Sequence, residues 1–295
     1  MIDRLIQPIV DAISVGGLYA LTALGIGLIF GVARLVNFAH GELIMIAGYM
    51  LLALAGLPLP GMLFGAFGAA VVLALLTERA AFLPLRNADP ATLLIASFAV
   101  SFFLQKTMMV LVGSRAKGLD FMPQLGRQVE VFGIRLQMLQ LVTIVICAIL
   151  LLSTTWFLQA TRLGLQLRAA AEDFRMARVL GVRANRVIAI AFALSGVLAA
   201  AVSCLVVAQT GVVQPRMGLQ LVIIAFVGTV IGGLGNLPGA ALGGFLVGVT
   251  TILLQALLPT DLRPFREAFV FIAVIFVLLL RPQGLIPARG LKGRV

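Results

Sequence analysis

The chain has 295 residues, of which 61% are hydrophobic and 11% charged, against about 45–50% apolar and about 25% charged in an ordinary soluble domain. A globule of this size must still show water a polar surface, so both departures exclude a soluble fold; two cysteines, and 31 glycines without a triplet period, exclude a disulfide scaffold and collagen. Lipid is the solvent that suits such a chain, and the net charge of +11 reads as Lys and Arg kept in cytosolic loops, with no nucleic-acid partner implied.

A helix crossing about 30 Å of hydrocarbon needs about 20 apolar residues, and charge-free runs of that kind follow one another along the sequence. Residues 12–33 form the first. No small-residue cleavage site follows it, which predicts a retained span. Residues 43–77 are long enough for two short helices divided at Pro58 and Pro60, because an interior proline loses a backbone bond and clashes with the preceding turn. Residues 90–112 carry Lys106 near one end, where a long side chain snorkels to the interface. Residues 136–161 and 187–214 supply one span each. Residues 217–260 are divided by the glycine-rich stretch 232–239 into two elements, with a short or re-entrant one expected at 219–234. Residues 268–280 close at Arg281 and Pro282. Nine apolar segments and eight or nine crossings are expected in a single membrane domain over 1–295. Backbone groups in lipid need internal partners, and the alternation of a membrane barrel is missing, so the fold is predicted to be all-α.

Orientation follows from basic residues. Segment 162–186 carries six arginines against Glu172 and Asp173, and the tail carries Arg281, Arg289, Lys292 and Arg294 with no acid. Both are expected in the cytosol, which agrees with four crossings between them and puts 113–135 outside.

Three polar groupings stand out inside the apolar runs. Asn37, His40 and Glu42 follow the first span, with Asn37 suited to cap the next helix. Lacking a second histidine or a nearby cysteine, His40 does not suggest zinc; a hydrogen-bonded helix start and a proton relay along an aqueous path both fit. Ser97, Ser101 and Gln105 stand at i, i+4 and i+8, which places them on one helical face; a translocation path and interhelical hydrogen bonding account for that face equally. Gly232, Gly233, Gly235 and Asn236 lie in the densest cluster of glycines spaced four apart, the pattern of close helix packing or of a discontinuous helix lining a cavity. Catalytic groups are not evident. The stretch 113–118 puts Lys117 before Gly118 and lacks the Ser or Thr of a phosphate-binding loop, so no nucleotide cofactor is expected in this chain. Cys147 and Cys204 read as small hydrophobes.

In the basic segment, Leu167, Ala170, Ala171, Phe174 and Ala177 repeat at helical spacing, opposite Arg168, Glu172 and Arg175 at i, i+4 and i+7. One amphipathic helix over 167–180 is predicted, stopped at Gly181, where a left-handed residue is cheap. A lipid-surface helix and a helix docked in a groove of a cytosolic partner both suit it.

With these segments assembled, the sequence resembles the branched-chain amino acid ABC transporter permeases, the shorter of the two permease types in such systems. The resemblance rests on the glycine-rich segment 17–31, on Val36-Asn-Phe-Ala-His-Gly-Glu42, on Arg168-Ala-Ala-Ala-Glu-Asp173 with Gly181 and Val182, on Ala191-Phe-Ala-Leu-Ser-Gly196 and on Gly232-Gly-Leu-Gly-Asn-Leu-Pro-Gly239. It implies an ABC importer permease fold in the bacterial cytoplasmic membrane, paired with a second homologous permease. Two ATP-binding cassette subunits would lie beneath, holding ATP and magnesium, and an extracytoplasmic binding protein would deliver substrate. The loop would be the coupling segment, through Arg168, Ala171, Glu172, Phe174, Arg175, Ala177 and Gly181. Set against the Glu-Ala-Ala pattern of importer loops, with its glycine on Gly181, Arg175, Met176 and Ala177 take those places and only Ala177 and Gly181 match. The resemblance implies branched-chain or other small aliphatic amino acids as substrate, with an amide or urea permease of the same family as the alternative. An ion-coupled secondary carrier is the rival from another class, which would bury ionisable residues near the bilayer midplane; His40, Glu42 and Lys106 all fall near predicted helix ends.

Overall fold

The computed structural model describes residues 3–86, 88–131 and 134–286. In chain order these form α1 (Asp3–Ala33), α2 (His40–Ala53), α3 (Leu59–Thr77) continued by a π-helical turn (Glu78–Phe82), α4 (Pro90–Val112), β1 (Lys117–Gly118), β2 (Gln128–Val131), β3 (Ile134–Gln137), α5 (Met138–Ala160), α6 (Arg162–Glu172), α7 (Phe174–Val179), α8 (Ala184–Thr210), β4 (Val212–Val213), α9 (Met217–Gly232), α10 (Leu237–Leu257) and α11 (Arg266–Leu280). The fold is all-α apart from two small antiparallel pairs, β1 with β4 and β2 with β3.

Each of the nine apolar segments is a helix. Six stretches are long and apolar enough to cross a membrane: Gln7–Ala33, Leu59–Phe82, Pro90–Val112, Met138–Ala160, Asn185–Thr210 and Leu237–Leu257. The other three are shorter, with 14 residues in α2, 16 in α9 and 15 in α11. The breaks fall where the sequence demands them. Pro60 and Pro90 sit in the first turns of α3 and α4, where a missing N–H costs nothing. Between α9 and α10 the chain turns through Gly233 (φ +112°) and Gly235 (φ +88°), a conformation that favours glycine. Asn236 then accepts a hydrogen bond from the Gly239 N–H at 3.0 Å and caps α10.

Two compact units are distinguished. One is drawn from Met1–Leu24, Met122–Leu152 and Ile224–Val295. Its core gathers Ile231, Val247, Val270 and Val274, with Tyr19 and Leu254 packed on them. α9 and α10 approach there with no room for side chains: a methyl on Gly228 would lie 2.6 Å from the Cα of Gly244, the close packing that drives helix association in lipid. The other unit is drawn from Gly25–Phe121 and Ser153–Ile223. Its centre is α2, whose residues 40–45 are all buried although Gly41 contributes no apolar side chain. A helix buried on every side is one enclosed by its neighbours.

Candidate functional site

The second unit collects most of the polar residues singled out from the sequence. α1 ends at Ala33, and Arg34 follows in the left-handed region (φ 52°). The chain then turns back along α1: a methyl on Gly25 would meet the His40 ring at 2.6 Å, so only a glycine leaves the imidazole its place. α2 therefore begins about 12 Å by helical rise from the end of α1. His40 Nδ1 also shares a 2.9 Å hydrogen bond with Ser195 Oγ, about 16 Å along α8 from Ala184. Gly48 faces Ser203 in the same way, so α2 and α8 run side by side in one direction. His40 and Glu42 do stand at a helix end, as the sequence suggests, but that end lies deep inside the unit, with both side chains at most 1% exposed. Irregular backbone at membrane depth is tolerated only where protein or water covers it, and Leu35, Asn37, Phe38 and Ala39 are all buried.

Asn37 differs from the expectation. Its Oδ1 accepts from the Ala39 N–H at 3.1 Å, which closes a turn ahead of the helix, and the capping position is Ala39. Because the side chain bonds two residues on, it holds the bend that α2 grows from and does not cap the helix.

Three consecutive residues at the head of α2 address three neighbours. His40 reaches Gly25 and Ser195, Gly41 packs its backbone on Gly218, and Glu42 reaches α4, where Oε1 accepts from Ser101 Oγ at 2.8 Å. The face expected on α4 is the face that is covered: its buried residues are Leu93, Ser97, Ser101 and Gln105, one per turn. Ser97 donates to its own Leu94 carbonyl at 2.8 Å, and Phe98 stacks on Phe38 with ring centroids 4.1 Å apart. Away from that face α4 is half-buried or exposed, with Ile95, Phe103 and the charged Lys106 among the exposed residues. Five buried polar atoms have no partner among the described residues: His40 Nε2, Glu42 Oε2, Tyr49 Oη, Gln105 Nε2 and Ser203 Oγ. All lie on α2, α4 and α8. Tyr49 and Ser203 carry no sequence signal, since a lone hydroxyl in an apolar run has no period that marks it, and Ser195 stands out only as part of the stretch 191–196.

The basic segment forms two helices where one is predicted. Asp173 adopts an extended conformation (φ −143°, ψ 101°), ends α6 and caps α7 by accepting from the Met176 N–H at 2.9 Å. Aspartate in this role competes with helix continuation, which is why the helix expected over 167–180 breaks there. Gly181 (φ +88°) does supply the left-handed stop. Leu167, Ala170 and Ala177 are buried within their own unit, and Phe174 is half-buried. Met176, Val179 and Leu180 point outward at 56%, 81% and 76% exposure. Arg168 donates to the Gln159 carbonyl at 3.3 Å, and among the described residues it makes no ion pair with Glu172, which is exposed. The side chain of Arg175, and the basic tail residues Arg289, Lys292 and Arg294, lie outside the described residues.

Arg34 ties this loop to the bundle, donating from Nη2 to the Ala171 carbonyl at 3.0 Å, near the end of α6. Beside it a cavity of about 490 Å³ opens, lined among others by Arg34, Glu78, Arg86, Phe174, Arg178 and Asn185. Arg86 bridges Glu78 and Asn185, which fastens the end of α3 to the start of α8. Gly232, Gly233, Gly235 and Asn236 belong to the other unit, where they make the α9–α10 turn. Residues 285 and 286 donate to the carbonyls of Ile231 and Gly232.

Helical spans, a covered polar seam between α2 and α4, and a basic loop latched to the bundle define a polytopic transport subunit with no described cluster of His, Cys, Asp or Glu that could hold a metal. The chain belongs to the family described as the permease component of branched-chain amino acid transport systems, whose pattern matches residues 9–280. It is 34% identical over 298 residues to the high-affinity branched-chain amino acid transport system permease protein BraD of Pseudomonas aeruginosa, covering 95% of each chain. Identity to the corresponding LivH protein of Escherichia coli (strain K12) is 33% over 296 residues, again 95% of each. A probable LivH permease of Methanocaldococcus jannaschii is 28% identical over 93% of this chain and 90% of its own.

Proposed function

We propose that this chain is the membrane-spanning permease subunit of an ATP-driven importer for branched-chain or other small aliphatic amino acids in a bacterial cytoplasmic membrane. It would be paired with a second homologous permease, driven by two ATP-binding cassette subunits and supplied by an extracytoplasmic binding protein. The chain contributes no covalent chemistry; ATP and magnesium belong to the cassette subunits.

The observation that carries this reading is the loop. Met176, Val179 and Leu180 are uncovered apolar residues in a stretch that also carries exposed Arg178 and Arg183, while Arg34 bonds the Ala171 carbonyl near the end of α6. A surface of this kind docks a protein, with the apolar residues as anchors and the charges as its rim. The docking side differs from the one read from periodicity: Leu167 and Ala177 are occupied by their own bundle, and Phe174 lines the cavity. With the loop and the tail in the cytosol, Arg34 also puts the end of α1 there and the start of α1 outside. Closure of the cassette subunits would press on α7, and Arg34 would carry the movement into segment 34–42 and so to the seam between α2 and α4, alternating access between the two faces.

Buried His40 and Glu42 are also what an ion-coupled carrier would hold at depth; the permease family to which the chain belongs argues for the ATP-driven machine. A charge introduced by Val179→Asp should strip the ATPase from the purified complex and abolish uptake with the bundle still folded, since truncating or charging a central anchor typically costs on the order of 2 kcal/mol. Co-purification and uptake unchanged by Val179→Asp would contradict docking through this face.

A further inference from the structure

The seam between α2 and α4 holds two groups whose needs are opposite. Glu42 spends Oε1 on the Ser101 hydroxyl, and its Oε2 has no donor; Gln105, one turn further along α4, has an Nε2 with no acceptor. Both are enclosed, Glu42 at 1% and Gln105 at 4% exposure. The only ion pair among the described residues joins Arg86 to Glu78, so Glu42 has no cationic partner among them, and His40 on the same helix bonds to Ser195. A carboxyl shut away from water with one hydroxyl for company stays ionised at low cost only when a cation joins it. Its place in the first turn of α2 gives it the favourable end of one helix dipole, which offsets part of that cost and leaves Oε2 unmatched.

We propose that Glu42 and Gln105 are the groups that take hold of the substrate inside the bundle, Glu42 Oε2 receiving a primary ammonium and Gln105 Nε2 donating to a carboxylate. This assignment rests on the reading of the chain as an amino acid permease, and it names which side chains recognise the backbone end of the substrate. The unmet acceptor and the unmet donor are the complement of a zwitterion. A neutral amide such as urea would donate to Oε2 yet leave the charge of the carboxylate unpaired, and an anion would be repelled by it. The aliphatic side chain of the substrate makes no demand here beyond apolar walls, which a family carrying several aliphatic amino acids requires. The seam is also built to part. α4 is fully buried only at one residue per turn, and the side chains that meet across the seam include Ser101, bonded to Glu42, and Phe98, stacked on Phe38. Segment 34–39, which carries the head of α2, is attached through Arg34 to the loop. Movement of the loop therefore reaches the seam without passing through the packed faces of α3 and α8.

The test uses proteoliposomes holding the whole transporter, with leucine as the probe and binding protein in excess. Glu42→Gln keeps the size of the side chain and the acceptor for Ser101 and removes the charge. It should lower the maximal uptake rate about tenfold or more, the scale of one lost charge-assisted bond. The leucine concentration at half-maximal rate, fixed by delivery from the binding protein, should stay within about twofold, and ATPase stimulation by loaded binding protein should persist. Lys106→Gln, which removes a charge from the exposed side of the same helix, should retain most of the uptake. A Glu42→Gln transporter with the full maximal rate would overturn the assignment, and so would a Lys106→Gln loss as deep as that of Glu42→Gln. Should Glu42→Gln fail to assemble, Gln105→Met, of similar volume, is read by the same two assays: a fallen maximal rate with ATPase intact supports the site, and an unchanged rate overturns it. Wild-type proteoliposomes that take up no amino acid with ATP would instead contradict the function proposed for the chain.

Discussion

Arg34 offers a substitution in which stability and function should separate. A non-glycine residue in the left-handed region costs about 1–2 kcal/mol, and Arg34 sits there with φ 52°. The bond from its guanidinium to the Ala171 carbonyl is 3.0 Å long and exposed, so its contribution is about 1 kcal/mol, at the low end for a charged donor. Arg34→Gly removes both the strain and the bond, and the two changes offset to within about 1 kcal/mol. Arg34→Ala loses the bond and keeps the strain, and should be the less stable of the two by about 1 kcal/mol, roughly a factor of five in the folding equilibrium. If Arg34 is the mechanical tie between loop and bundle, both variants should uncouple transport to a similar degree, and Arg34→Lys, keeping a donor of comparable reach, should recover part of it. Thermal unfolding of the purified complex gives the stability order; ATP hydrolysed per leucine imported gives the coupling. An Arg34→Gly transporter with wild-type uptake per ATP would refute the tie, and a deeply destabilised Arg34→Gly would refute the energetic reasoning.

Two further outcomes follow from the same geometry. Native Cys147 and Cys204 are buried, so single introduced cysteines report sidedness: Lys117→Cys should react with an impermeant maleimide in intact cells and Arg178→Cys only after the membrane is opened, and the reverse pattern would invert the topology. Gly218→Ala would set a methyl on the Gly41 backbone, which cannot yield as a flexible side chain can; overpacking of about 1–3 kcal/mol or more should lower the yield of monodisperse permease, and a normal yield would show that the α2–α9 contact is looser than described.

Much of this architecture is legible in the sequence because lipid makes the rules severe. Charge-free length gives the nine helices, and Pro58, Pro60 and the glycines at 232–239 give their breaks, since a proline or a glycine turn has few other places to go. The period of four in Ser97, Ser101 and Gln105 gives the buried face of α4. What the pattern does not carry is the identity of the partner across a face. Glu42 and Ser101 are far apart in the chain, and neither has a local signal that pairs them. Ser195 stands in an apolar run that fits any buried helix, and only the fold brings it to His40. The loop shows the same limit. The spacing of Leu167, Ala170 and Ala177 marks an apolar face correctly, yet amphipathicity cannot distinguish a helix that covers its own bundle from one that waits for another subunit. Asp173 belongs to neither face of that period, and its role as a helix cap, which splits the segment, depends on a backbone choice that side-chain period does not reveal.

Reconstitution with all four components bears most directly on the central reading. Proteoliposomes carrying this chain, its permease partner and the cassette subunits, supplied with binding protein and labelled leucine, should accumulate leucine only when ATP is enclosed with the cassette subunits, and accumulation should cease when this chain is omitted. Leucine uptake by this chain alone, driven by an ion gradient without ATP, would contradict it.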